Sequence, residues 1–177
     1  MADIVALRYR NHDVVFEKSA TLIAARARAG MAAALEADVD SIAVTNGSAS
    51  RQTIGAFEVV ELRTLPDDLE RNLDWLRARP SVAAASHVFT IRGKPHSLMI
   101  PDGHLVLLFD DGFPGHRQQA LLTRYRLQTI EQRGNGEYLV RITSGSKNPL
   151  VTAADLQAEA GVALAEPEFA GADAVRS

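Results

Sequence analysis

Two stretches of this 177-residue chain repeat one another at a fixed distance. Arg79-Pro80-Ser81-Val82-Ala83-Ala84-Ala85-Ser86-His87-Val88-Phe89 and Glu159-Ala160-Gly161-Val162-Ala163-Leu164-Ala165-Glu166-Pro167-Glu168-Phe169 align Val82 with Val162, Ala83 with Ala163, Ala85 with Ala165 and Phe89 with Phe169, an offset of 80 residues. Each stretch follows a helix-period segment. Self-similarity at one offset predicts two copies of one supersecondary unit, so the chain is expected to pair elements within each half.

The second copy is the cleaner. His104–Asp110 is an apolar, branched run with the composition of a central strand. Pro114-Gly115 opens a stretch in which Leu121, Leu122 and Tyr125 share a helical face, ending near Arg126. Leu127–Gln132 and Glu137–Ile142 read as two strands joined by Gly134-Asn135-Gly136, residues suited to the positive φ of a hairpin turn. A helix follows Asn148-Pro149, with Thr152 and Asp155 at capping-box-like spacing, and Val162–Phe169 closes the unit. The order is β-α-β-β-α-β, the ferredoxin-like split unit.

The first copy gives a strand over Thr21–Arg28, a short helix over Met31–Ala37, a strand over Ile54–Leu62 and a helix over Pro66–Arg79. In that helix Asp67 and Asp68 favour the N-terminus, and Leu69, Leu73 and Leu76 form the apolar stripe. Residues 4–17, with Asn11-His12-Asp13 between two apolar runs, predict an additional hairpin. Ile91–Gly103, with two prolines and two glycines, reads as the connector. The expected fold is α+β: two tandem ferredoxin-like units with antiparallel sheets, residues 1–95 with the N-terminal hairpin and residues 96–177 with a C-terminal tail.

Composition removes several functions. With no cysteine, thiol catalysis, cysteine-based zinc sites and disulfides are excluded. Nineteen basic against twenty-two acidic residues, a net charge of −3, argue against phosphate-backbone binding. The strands also lack the aromatic platform of RNA-recognition sheets, since Tyr138 is the one aromatic beside Leu105, Leu107 and Val140. No window holds eighteen uninterrupted apolar residues, so no membrane partner is expected. The first ten residues lack the basic-then-apolar order of a signal peptide, and a cytoplasmic location is expected unless export takes another route.

The second copy also resembles a known family. Leu105-Val106-Leu107-Leu108-Phe109, Leu121-Leu122-Thr123-Arg124-Tyr125-Arg126-Leu127, Tyr138-Leu139-Val140-Arg141-Ile142 and above all Gly161-Val162-Ala163-Leu164-Ala165-Glu166-Pro167-Glu168-Phe169 are similar to the propeptide domain of subtilisin-like serine proteases. That domain ends in a Gly-Val-x-x-Ala-Glu-Pro strand just before the catalytic domain. The resemblance covers residues 103–170. Residues 1–95 more weakly resemble the extra N-terminal unit of some bacterial subtilase precursors.

The resemblance implies a non-catalytic protein that inhibits a subtilisin-like protease, assists its folding, or both, in cis or in trans. Its sheet would lie on two helices of the enzyme and its C-terminal segment in the active-site cleft. The implied contact residues are Ala165, Glu166, Pro167, Glu168 and Phe169, followed by Asp173, Ala174, Val175, Arg176 and Ser177. A small-residue tail costs little to order, and an extended one adds main-chain hydrogen bonds. Glu166 and Glu168 would cap helix N-termini of the partner; the plain alternative is a solvated strand end with Pro167 guarding an edge. Ser86 and His87 replace Glu166 and Pro167 in the first copy, which points to copy one as scaffold and copy two as the protease-facing unit.

Other candidates read as structural. No serine has the surroundings of a subtilase nucleophile, so no catalytic residue is assigned. Asp102, His104, Asp110, Asp111 and His116 are the densest group of possible metal ligands, and His104 and Asp110 share strand parity. All five flank a strand and a helix start, so they are read as solvated loop positions, and no metal or cofactor is expected. Gly145-Ser146-Lys147-Asn148 and Asn46-Gly47-Ser48 lack P-loop spacing and read as turns. Trp75 is assigned to the core edge. The competing function is a regulatory or adaptor module that binds a small molecule or forms a homodimer.

Overall fold

The computed structural model describes residues 4–63, 65–143 and 148–170. Among them are nine strands and four α-helices, in an α+β arrangement whose strand ladders are antiparallel. The chain divides into two compact units. The first contains Glu17–Ile100 with Phe169 and Ala170; the second contains Ile4–Phe16 and Pro101–Glu168.

The hairpin of β1 (Ile4–Tyr9) and β2 (His12–Ala27) turns at Arg10 and Asn11, whose φ values of 49° and 63° suit a two-residue turn. Sequence reading attached this hairpin to the first copy, whereas Ile4–Phe16 belongs to the second unit. From Glu17 onward β2 serves the first unit, followed by α1 (Ala32–Asn46), β3 (Ser48–Ile54), β4 (Phe57–Leu62), α2 (Pro66–Arg77) and β5 (Val82–Ile91). The strand order is β3-β4-β2-β5.

One face of this sheet meets the helices. Leu35, Val39 and Ile42 of α1 and Leu69, Leu73 and Leu76 of α2 pack on Ile23, Ala25, Val60, Leu62 and Val82. Trp75 is partly buried against that core, with the Arg79 guanidinium 3.7 Å from its ring centre. The opposite face holds a second core of Ala24, Phe57, Val59, Val88 and Ile100. Period-2 alternation explains the division: Ile23 pairs with Val60 on one face, and Ala24 with Val59 on the other.

Three expectations for this half need correction. The helix continues to Asn46, because Val39 and Ile42 extend the buried stripe begun by Leu35 past the polar residues Asp38, Asp40 and Ser41. The strand expected over Ile54–Leu62 is instead two: Ile54 ends β3, and β4 begins at Phe57 and pairs with Ser48–Ile54, a strand despite its polar sequence. Ile91–Gly103 is no loose connector: β6 (Lys94–Phe109) runs through it after a turn at Arg92-Gly93, pairing first with β5. Pro101 lies between the stretch of β6 that faces β5 and the stretch that faces the next ladder, where its missing N–H is tolerated.

The second unit continues with α3 (Gly115–Arg124), β7 (Leu127–Gln132), β8 (Glu137–Ile142), α4 (Pro149–Gln157) and β9 (Val162–Ala170). Its strand order is β7-β8-β6-β9. Asn148, not Thr152, caps α4: its side chain accepts from the Leu150 N–H at 2.9 Å, while Thr152 is buried inside the helix. Between β7 and β8, Asn135 and Gly136 take φ values of 65° and 76°.

The 80-residue repeat extends to backbone hydrogen bonding. After α2, Arg79 N–H donates to Leu76 O and Val82 N–H to Arg79 O; after α4, Glu159 N–H donates to Leu156 O and Val162 N–H to Glu159 O. Leu76 and Leu156, which anchor these two turns, are both fully buried.

Candidate functional site

The Val162–Phe169 segment lies in β9. Gly161 precedes it at φ 88°, and an added Cβ would lie 2.2 Å from the Phe113 ring. That ring stacks on Phe109 with centres 5.6 Å apart, and Phe109 meets Tyr138 edge to face. The glycine thus admits an aromatic against the backbone, at a conformation L side chains rarely adopt. Asp110 N–H donates to Gly161 O at 3.0 Å, tying the start of β9 to the end of β6. Ala165 is fully buried and Pro167 is buried.

The edge of β9 has partners that no local pattern announces. Gln157 of α4 donates from Nε2 to Ala165 O at 2.7 Å and to Arg8 O at 2.6 Å, while its Oε1 accepts from Arg8 N–H at 2.9 Å. One side-chain amide therefore serves both backbone groups of Arg8, as a neighbouring strand would. Glu166 accepts from Arg10 N–H at 2.7 Å. Part of its acceptor capacity is therefore used inside the second unit. Burial pushes the Tyr9 phenol pKa up, against the opposing charge of Arg10 and with smaller help from Glu166 and Glu168.

On the face of β6 opposite Leu105, Leu107 and Phe109, Val106 pairs with Leu139, Leu108 with Glu137 and His104 with Arg141. Val106, Leu108 and Leu139 are half-buried, whereas the inward Leu105, Leu107 and Val140 are fully buried. Charged and polar residues bound this apolar strip: Glu131 stands opposite Leu139 on β7, and Arg141 donates to Gln128 at 2.6 Å.

Of the five candidate metal ligands, Asp102 and His104 come together, and they are joined by Glu168, which sequence reading had placed in the protease contact. Ligand atoms of these three lie within 4.8 Å of one another. Asp102 Oδ1 accepts from His104 N–H at 2.9 Å and lies 3.1 Å from His104 Nδ1. Asp110, Asp111 and His116 are not part of this group.

Phe169 is half-buried, and Asp173, Ala174, Val175, Arg176 and Ser177 lie outside the described residues, as do Gly145-Ser146-Lys147. In the first unit His87, the counterpart of Pro167, is buried. Its Nε2 lies 2.7 Å from Glu70 Oε1 and its Nδ1 has no partner among the described residues. Burial pushes its pKa down, partly opposed by Glu70. In a comparison with known proteins, no family model, no curated protein and no solved structure matches this chain.

Proposed function

We propose that this chain is a non-catalytic binding protein for a subtilisin-like serine protease, acting as inhibitor, folding assistant or both. On this reading each unit is a ferredoxin-like module. In element order within each unit, the strand sequences β3-β4-β2-β5 and β7-β8-β6-β9 both read 2-3-1-4, which supports that assignment.

The observation that carries the proposal is the outward face of the second unit. It combines the apolar strip Val106, Leu108 and Leu139 with an adjacent strand bearing Ala165-Glu166-Pro167-Glu168 that leads directly to the small-residue segment 171–177. A sheet face supplies area, and an extended tail in the cleft supplies main-chain hydrogen bonds.

Peptidase activity of subtilases titrated with the chain tests the reading. The expected result is dose-dependent inhibition that weakens about a hundredfold when residues 171–177 are deleted, equivalent to about 2.7 kcal/mol. Leu139→Asp should weaken it by at least about tenfold with the fold intact, because it places a charge at the centre of the strip. Full protease activity at micromolar excess of the chain, across several enzymes, would overturn the proposal. Leu139→Asp that abolishes a homodimer without affecting any protease would favour the adaptor reading instead.

A further inference from the structure

We infer that Asp102, His104 and Glu168 form a binding site for a divalent transition ion of the zinc type. The three donors come from two strands that pair within the second unit, β6 and β9. Asp102 and His104 are two residues apart on β6. Gly103 between them takes φ 93°, a departure from the extended conformation that lets the Asp102 carboxylate reach both the backbone N–H and the ring of His104.

Donor chemistry selects the ion. Two carboxylates alone would suit calcium or magnesium, whereas an imidazole nitrogen beside them favours zinc and its neighbours in the transition series. Three protein ligands leave one tetrahedral position for water. Tetrahedral bonds of about 2.0–2.2 Å place ligand atoms roughly 3.3–3.6 Å apart, so donors already within 4.8 Å need side-chain rotation and no backbone movement. Asp102 and His104 are 21% and 26% exposed at the side chain, open to an entering ion yet partly shielded from water. Arg141, opposite His104 in the ladder, directs its guanidinium to Gln128. Bound there, an ion would cross-link β6 to β9 through side chains, near the C-terminal end of β9.

The site does not depend on the protease proposal, and its test needs no protease. Full-length protein, stripped with a chelator, is titrated calorimetrically with Zn²⁺, and with Mg²⁺ and Ca²⁺ in parallel. We expect one equivalent of Zn²⁺ to bind, with Mg²⁺ and Ca²⁺ at least about a hundredfold weaker. His104→Ala and Glu168→Gln should each weaken Zn²⁺ at least about tenfold, while His116→Ala leaves it unchanged. Thermal unfolding provides the second readout: Zn²⁺ should raise the melting temperature of the parent and of His116→Ala, and leave folded Glu168→Gln where it was. Absence of Zn²⁺ binding overturns the inference. So does binding that survives His104→Ala and Glu168→Gln undiminished, or that falls equally with His116→Ala, because surface histidines would then account for it.

Discussion

The two units use similar strand orders to opposite ends. In the first, both faces of the sheet are buried: Val60 and Leu62 look toward α1 and α2, and Phe57 and Val59 into a second core. In the second, Leu105, Leu107 and Val140 are buried on one face, while Val106, Leu108 and Leu139 on the other remain half-buried. A sheet covered on both sides turns its apolar surface into stability, whereas the second unit leaves Val106, Leu108 and Leu139 only half-buried. A repeat in topology need not be a repeat in burial.

The comparison breaks first if truncation costs the same in both sheets. Phe57→Ala removes a ring that is 1% exposed and should cost about 3–5 kcal/mol, read by urea unfolding. Leu139→Ala should cost under about 1 kcal/mol, yet weaken protease inhibition. Next in size, Gly161→Ala should destabilise by more than about 1 kcal/mol. Combining it with Phe113→Ala should recover part of the loss, a coupling of about 0.5–3 kcal/mol in a double-mutant cycle.

Smaller effects sharpen the contrast. Asn148→Ala should cost about 1 kcal/mol by leaving the first turn of α4 uncapped. Leu65→Ala at the corresponding place before α2 should be nearly silent, since Leu65 makes no capping hydrogen bond and is exposed. A pH-dependent effect belongs to His87, whose burial depresses its pKa below the ordinary 6.5. The unfolded chain then binds a proton that the folded chain refuses, so this contribution is complete above about pH 6.5 and is lost as pH falls toward the depressed native value. His87→Leu should flatten the acid slope of stability by at most about 1.4 kcal/mol per pH unit. A slope unchanged by that substitution would remove His87 as its source.

How far the sequence foretold this structure depended on which force fixed each element. β7 and β8 were legible to the residue, because Tyr138, Val140 and Ile142 alternate and a glycine-asparagine turn joins the pair. Ser48–Ile54 was invisible, since an edge strand whose only apolar residues are Ala49 and Ile54 takes its conformation from β4 rather than from its own propensity. The first half of β6 was hidden by Pro95, Pro101 and Gly103, which read as punctuation until the neighbouring ladders are known. The candidate site divided in the same way. Ala165 and Pro167 could be placed on a strand, but the bonds from Gln157 and Glu166 to Arg8 and Arg10 join residues about 150 apart and leave no local trace. Likewise, Glu168 joined Asp102 and His104 only through strand order.

The contact between Gly161 and Phe113 carries a consequence for how such chains drift. A side chain at 161 and a large ring at 113 compete for the same volume, so the two positions are free to change only together and in order, the ring shrinking before the glycine is lost. The offset partner of Gly161 is Ser81, whose hydroxyl donates to Asp38, so that half of the chain answers to a different constraint. Divergence between the halves is thus channelled by two unlike local bargains, and among relatives of this protein the identity of residue 113 should forecast whether the glycine of the motif survives.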